Sequence, residues 1–224
     1  MNKELLDEYV EKYNIDKIFS FWGKYEIKLV KFNKGEIICS KDKKLNEIIF
    51  IVEGCAKIYY VSSEGKELYL ALKKAMDMLG EMEFIGETNI PYINIPYVEA
   101  MSEVLAVTIS IDRYKNLLNE DIAFNKYVIK CLTRKISLAA QNLYINQLHS
   151  KESRLALYIL SNEENNIINE NWTEISNLLA ISYRQLMRIL SKFCEEKLIK
   201  RVGKKGIYEI IDREKLKRLC EHIF

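Results

Sequence analysis

Apolar residues recur along this chain with two alternating periods. Between residues 1 and 24, Leu5, Leu6, Tyr9, Val10, Ile15, Ile18, Phe19 and Trp22 stand among acids and bases, which predicts short amphipathic helices covering a core. From Tyr25 to Ser110 the apolar runs become short and glycine punctuates them. The stretches 26–32, 36–39, 47–53, 56–62, 67–72, 78–79, 84–85, 97–101 and 104–110 read as strands. Turns fall at Asn33-Lys34-Gly35, Glu53-Gly54, Ser63-Glu64-Gly65-Lys66 and Gly80. Strands this short and evenly spaced predict a sandwich or barrel. From Asp112 to Ser150 the period lengthens into one long helical pattern, interrupted near Asn119-Glu120-Asp121.

Within that helix Ile129, Leu132, Ile136, Ala139, Leu143 and Asn146 follow alternating three- and four-residue steps, the spacing of a coiled-coil seam. A second stripe, Val128, Leu138 and Ile145, is expected to face the chain's own β-domain. One helix with two apolar stripes fits pairing with a symmetric partner better than burial within one subunit.

The remaining stretch carries the chemistry. Helix 152–161 and a polar loop, 162–171, lead into two short helical patterns that meet at a tight turn. The first opens at Thr173, an N-cap residue, with Ile175, Leu178 and Leu179 on one side. The second opens at Ser182 with Gln185 three residues on, a capping-box spacing, and places Leu186, Ile189, Leu190 and Phe193 inward. Tyr183, Arg184, Arg188 and Lys192 share its other face. This is the pattern of a helix-turn-helix, whose second helix reads base edges in a DNA major groove. A wing follows at Lys200 to Gly206, then a strand, 207–211, and a last helix from about Asp212. An ordinary helical hairpin would show a mixed exposed face. Here residues 182–205 hold eight Lys or Arg and two acids, a net +6 in a chain whose total is +2. Arginine forks suit guanine O6 and N7, and lysines such as Lys204 and Lys205 suit phosphate. The turn position, usually glycine, is Ala180, which costs about 1 kcal/mol if φ is positive there.

The 224 residues, 49% of them hydrophobic, suffice for one large or two modest domains with their own cores. No signal-peptide run and no membrane-length apolar stretch occurs; the expected compartment is the cytoplasm, with no membrane partner. The abundance of Lys, Asn and Ile hints at an AT-rich bacterial genome. Five scattered cysteines without a C-x-x-C pair argue against a disulfide framework, a zinc ribbon or an iron–sulfur cluster. A cupin-like metal enzyme would need clustered histidines, and the chain has only His149 and His222, both outside the strands. The reading is therefore not an enzyme and calls for no metal and no cofactor.

The order of elements resembles the cyclic-AMP receptor protein/FNR superfamily of transcription regulators over nearly the whole chain. The resemblance rests on F-N-K-G-E-I-I (32–38), I-I-F-I-V-E-G (48–54), S-E-G-K-E-L (63–68), M-L-G-E-M-E-F (78–84) and E-I-S-N-L-L-A-I-S-Y-R-Q-L-M-R-I-L (174–190). The S-Y-R-x-L start of the second helix resembles the YeiL-like branch. The resemblance implies an α+β chain with three parts. These are a β-roll (double-stranded β-helix) sensor domain of cyclic-nucleotide-binding type over 1–118, a dimerisation helix over 119–150 and a winged helix-turn-helix over 151–224. It implies a homodimer on a pseudo-palindromic DNA site, with Tyr183, Arg184 and Arg188 reading bases and Ser182 and Gln185 near phosphates. RNA polymerase is a further partner if the protein activates. It also implies a small-molecule effector site, with Gly80 and Glu81 at the family's Gly-Glu pair. The family's Arg-Ser positions fall on Asn94 and Ile95, and its Thr-Ser positions on Ala139 and Ala140. Between Ala75 and Asp112 stand seven acids and no Lys, Arg or His, so a buried phosphate there would lack a cation unless Lys135 supplied one. Cyclic AMP is therefore not the expected effector. A cyclic-nucleotide-responsive regulator and a dimeric interaction module with degenerate DNA binding stay open as alternatives.

Overall fold

The computed structural model describes residues 3–65, 67–86, 96–203 and 206–223. The chain divides into two compact units, 1–136 and 137–224, and the division falls inside one helix.

The first unit opens with α1 (Lys3–Tyr13) and two 3-10 turns. The strands β1 (Ile27–Phe32), β2 (Ile37–Cys39), β3 (Glu47–Glu53), β4 (Ala56–Val61), β5 (Glu67–Lys73), β6 (Met78–Leu79), β7 (Tyr97–Ala100) and β8 (Val104–Ser110) follow. They pair antiparallel in two four-stranded sheets, ordered β1-β8-β3-β6 and β2-β7-β4-β5. Strand β3 explains the five-residue apolar run from Ile48 to Val52. Alternate side chains of a strand point to opposite faces. Ile49 and Ile51 enter the core between the sheets with Phe32, Ile38, Val98 and Ala106. Ile48, Phe50 and Val52 point the other way, into a second core with Leu6, Phe19, Leu118 and Phe124. A strand buried on both faces has no polar alternation to show.

The expected strand at 84–85 is instead part of a helix, α2 (Glu81–Ile85). Gly80, at φ +90°, turns the chain left-handed out of β6 and caps this helix. A Cβ on Gly80 would lie 2.1 Å from the Glu47 carbonyl oxygen, so close backbone approach demands glycine there.

The long helical pattern is broken where the sequence indicated, at Asp121, between α3 (Ile111–Glu120) and α4 (Ile122–Leu148). The Asp121 carboxylate is fully buried and accepts from Ser20 N at 2.9 Å, Phe124 N at 3.1 Å and Tyr25 Oη at 3.1 Å. It thus caps α4 and ties the N-terminal segment to it. Phe19 stacks on Phe124 at 5.0 Å beside this junction.

The second unit holds the last turns of α4, then α5 (Lys151–Asn162), β9 (Ile167–Asn169), α6 (Trp172–Leu178), α7 (Tyr183–Glu195), β10 (Ile199–Arg201), β11 (Ile207–Ile210) and α8 (Arg213–Arg218). Strand β9 was not expected in the polar loop 162–171. Asn165 and Asn166, both at positive φ, turn the chain so that Ile168 is buried and pairs with Tyr208 of β11. The small sheet runs β10-β11-β9. None of the five cysteines forms a disulfide. Among the described residues no helix is long and apolar enough to cross a membrane.

Burial raises the pKa of Asp121, but the hydrogen bonds from Ser20, Phe124 and Tyr25 outweigh it and hold the group below its ordinary value. Its contribution to stability is therefore present above about pH 4 and lost as pH falls through the depressed folded value. Asp121→Ala, which orphans several buried donors, should cost about 3 kcal/mol in urea unfolding at pH 7. Asp121→Asn should show a shallower loss of stability between pH 5 and pH 3 than the parent chain. A parent-like slope would show that another carboxylate dominates acid unfolding.

Candidate nucleic-acid interface

Helix α6 begins two residues earlier than the sequence suggested, because its N-cap is Asn171 rather than Thr173. The Asn171 side chain accepts from Thr173 N at 3.2 Å and donates to Glu174 Oε1 at 2.8 Å. The same helix ends in a Schellman motif. Ile181 N donates to Ser176 O at 2.9 Å and Ala180 N to Asn177 O at 3.1 Å, with Ala180 left-handed at φ +50°. Ile181 is buried behind the turn. Ser182 then caps α7, its hydroxyl accepting from Gln185 N at 3.3 Å. The reciprocal half of the capping box is not made, since Gln185 Oε1 accepts from Lys151 Nζ at 3.0 Å instead.

Helix α7 buries Leu186, Ile189, Leu190 and Phe193 in a core with Leu155, Ile159, Ile175 and Tyr208. Ser182, Tyr183, Arg184, Gln185, Arg188 and Lys192 are exposed. Among the described residues no carboxylate pairs with Arg184 or Arg188. Lys192 lies 4.0 Å from Glu152. Strands β10 and β11 form the wing, where Lys200 faces Glu209 and pairs with it at 2.9 Å. Lys204 and Lys205 lie outside the described residues. The wing is anchored by Trp172, whose indole donates to Gly206 O at 2.7 Å and packs edge-on against Tyr208. The sequence reading overlooked this tether, as it overlooked Arg154. Nothing in the periodicity marks a tryptophan as a hydrogen-bond donor.

Along α4, Ile129, Ile136 and Leu143 are 63%, 69% and 58% exposed, Ala139 is exposed and Leu132 half-buried. The second stripe is only partly as expected, for Val128 is buried but Leu138 is exposed. Asn146, the last position of the expected seam, has its Oδ1 taken by Arg154 at 2.6 Å within the same chain.

Of the sensor residues, Gly80, Glu81 and Lys135 come together. Glu81 is buried, and Lys135 Nζ donates both to its Oε1 and, at 3.2 Å, to Met78 O. The other carboxylate oxygen, Oε2, is buried and has no hydrogen-bond partner among the described residues. Lys73, buried nearby, has its pKa lowered by desolvation and by Lys135, against the opposing pull of Asp77, 3.8 Å away, and Glu81. Ala139 and Ala140 are exposed, and Asn94 and Ile95 lie outside the described residues. Glycine is required at position 80 because a Cβ there would collide with Glu47 O, a structural demand of the fold.

A β-roll, a long helix with an exposed apolar face and a winged helix-turn-helix with a basic reading helix define a class: a transcription regulator. Residues 29–121 match the model of the cyclic nucleotide-binding domain, and residues 153–219 that of the Crp-like helix-turn-helix domain. The regulatory protein YeiL of Escherichia coli O157:H7 is 26% identical over 195 residues, 87% of this chain and 86% of that one. The regulator Flp of Lacticaseibacillus casei is 27% identical over 177 residues, covering 76% and 78%. A crystal structure of a Crp/Fnr-family regulator from Eubacterium rectale superposes with a TM-score of 0.72 at 21% identity, over 91% of this chain and 99% of that one. The chain belongs to the CRP/FNR family of transcription regulators. Regulators of this family bind DNA and act as dimers.

Replacing Ala180 by glycine removes a left-handed alanine from the turn and should stabilise the chain by about 1 kcal/mol, less the extra freedom glycine gives the unfolded state. Urea midpoints at constant m would read it, and an unchanged or lowered midpoint would show that the alanine methyl packs usefully.

Proposed function

We propose that this chain is a homodimeric, sequence-specific DNA-binding regulator that reads a pseudo-palindromic site through α7. The observation that carries the reading is the exposed face of α7, where Tyr183, Arg184 and Arg188 stand clear of the core and the two arginines meet no carboxylate among the described residues. Ser182 and Gln185 sit at the helix N-terminus, and Lys192, Lys204 and Lys205 supply further charge for phosphates. Arg188→Ala should cost about 1–3 kcal/mol and relax the preference at one base pair per half-site. Site selection from random DNA, followed by gel-shift, measures both quantities. Parent-like affinity and preference would mean that another face reads the bases, or that the module's DNA binding is degenerate.

The dimer is assigned to the seam Ile129, Leu132, Ile136, Ala139 and Leu143, whose isoleucines and Leu143 are too exposed and too apolar for a helix that faces only water. Two-fold symmetry then sets the reading helices ~34 Å apart, one turn of DNA. Ile136→Lys places like charges face to face and should give monomers with steeply weakened operator binding. If the variant sediments as a dimer, the partner contact lies elsewhere.

The sensor domain is proposed to respond to something other than cyclic AMP, or to nothing. Lys135, a helix cation at Gly80-Glu81, is already committed to the Glu81 carboxylate. Calorimetry at millimolar cyclic AMP should show no saturable heat; a micromolar dissociation constant would restore the cyclic-nucleotide-responsive reading. If the output is activation, RNA polymerase is the second macromolecular partner.

A further inference from the structure

Arg154, in the first turn of α5, is only 6% exposed, and among the described residues no carboxylate pairs with it. Its pKa is lowered by burial alone. One terminal nitrogen donates twice, to Asn146 Oδ1 at 2.6 Å and to Leu179 O at 2.8 Å. Its Nε is buried and meets no hydrogen-bond partner among the described residues. A guanidinium does not shed its proton in a protein, so this charge is held in place by those two acceptors.

The two acceptors sit on different elements. Asn146 is in the last turn of α4. Leu179 is the C-cap of α6, one of the carbonyls a helix end leaves unsatisfied. The next three residues are the left-handed Ala180, the buried Ile181 and the N-cap Ser182 of the reading helix. One side chain therefore fastens the turn between α6 and α7 to the end of α4. Bonds from a charged donor are about twice as strong as neutral ones. Moving the turn away from α4 would leave a buried cation short of an acceptor.

We propose that Arg154 is a positioning residue for operator recognition: by holding Asn146 and Leu179 on one nitrogen, it fixes the reading helix to the end of the dimer helix and so sets the half-site spacing. The proposal rests on the DNA-binding reading above. It assigns Asn146 a role within its own chain, at the C-terminal end of the seam, rather than a pairing across it.

The test compares affinities for the selected operator and for the same operator with one base pair added to or removed from its centre. The parent chain should discriminate between these spacings. Asn146→Ala cuts one arm at an exposed position and leaves Arg154 packed; its spacing discrimination should fall about fivefold or more, a coupling of ordinary size. Asn146→Asp supplies a stronger acceptor for the same nitrogen and should keep the discrimination. Arg154→Met should lose it as Asn146→Ala does, with sedimentation and thermal melting run on each variant. Parent-like discrimination in folded, dimeric Asn146→Ala would overturn the proposal, because a purely structural Arg154 would not set spacing. Dissociation of Asn146→Ala to monomers would also overturn it, by showing that Asn146 acts across the seam. A parent chain that selects no DNA at all would overturn the DNA-binding reading, and this one with it.

Discussion

A single buried carboxylate governs where the long helix begins. Asp121 accepts from the backbone of Ser20 and Phe124 and from the Tyr25 hydroxyl, so the N-terminal segment, the end of α3 and the start of α4 share one anchor. Helical phase is fixed by its first turn. Once Phe124 and Val128 are placed in the core, every later residue of α4 is committed to a face. The exposure of Ile129, Ile136 and Leu143 is the other side of that commitment. A slip at the cap would rotate the apolar seam away from any partner.

The architecture was legible in the sequence wherever periodicity reports burial on one face. The inward positions of α7 are such a case, while the strands were marked by glycine turns, the break at Asp121 by a polar interruption of the helical pattern and the left-handed Ala180 by its place in the turn. What escaped lies where one residue decides. Residues 84–85 look like a strand in composition, yet Gly80 turns the chain and starts a helix there. Ile168 among asparagines is too brief a signal for a strand until two left-handed asparagines fold it back. Asn171, not Thr173, caps α6, a contest between two good capping residues that propensity cannot settle.

Charge was legible in amount but not in partnership. The count of basic residues from 182 to 205 treats each as free, whereas Lys200 is balanced across the wing by Glu209 and Lys192 lies near Glu152. Likewise the stretch without cations from 75 to 112 is answered from outside, by Lys135 on Glu81 and by Lys73 near Asp77. Arg154 shows the opposite case. Its place in an amphipathic helix suggests a solvated residue, and it is buried because two helix ends offer it oxygen atoms.

Strand β3 carries a liability along with its structural role. Ile48-Ile49-Phe50-Ile51-Val52 has no side chain that faces water once both cores have closed, and no charge within it. Before closure the same five residues form a segment of high β-propensity that can stack on copies of itself. The strand cannot dilute that tendency internally, since each position serves a core. The opposing charges stand at its ends, Glu47 and Glu53, in the place of gatekeepers against aggregation.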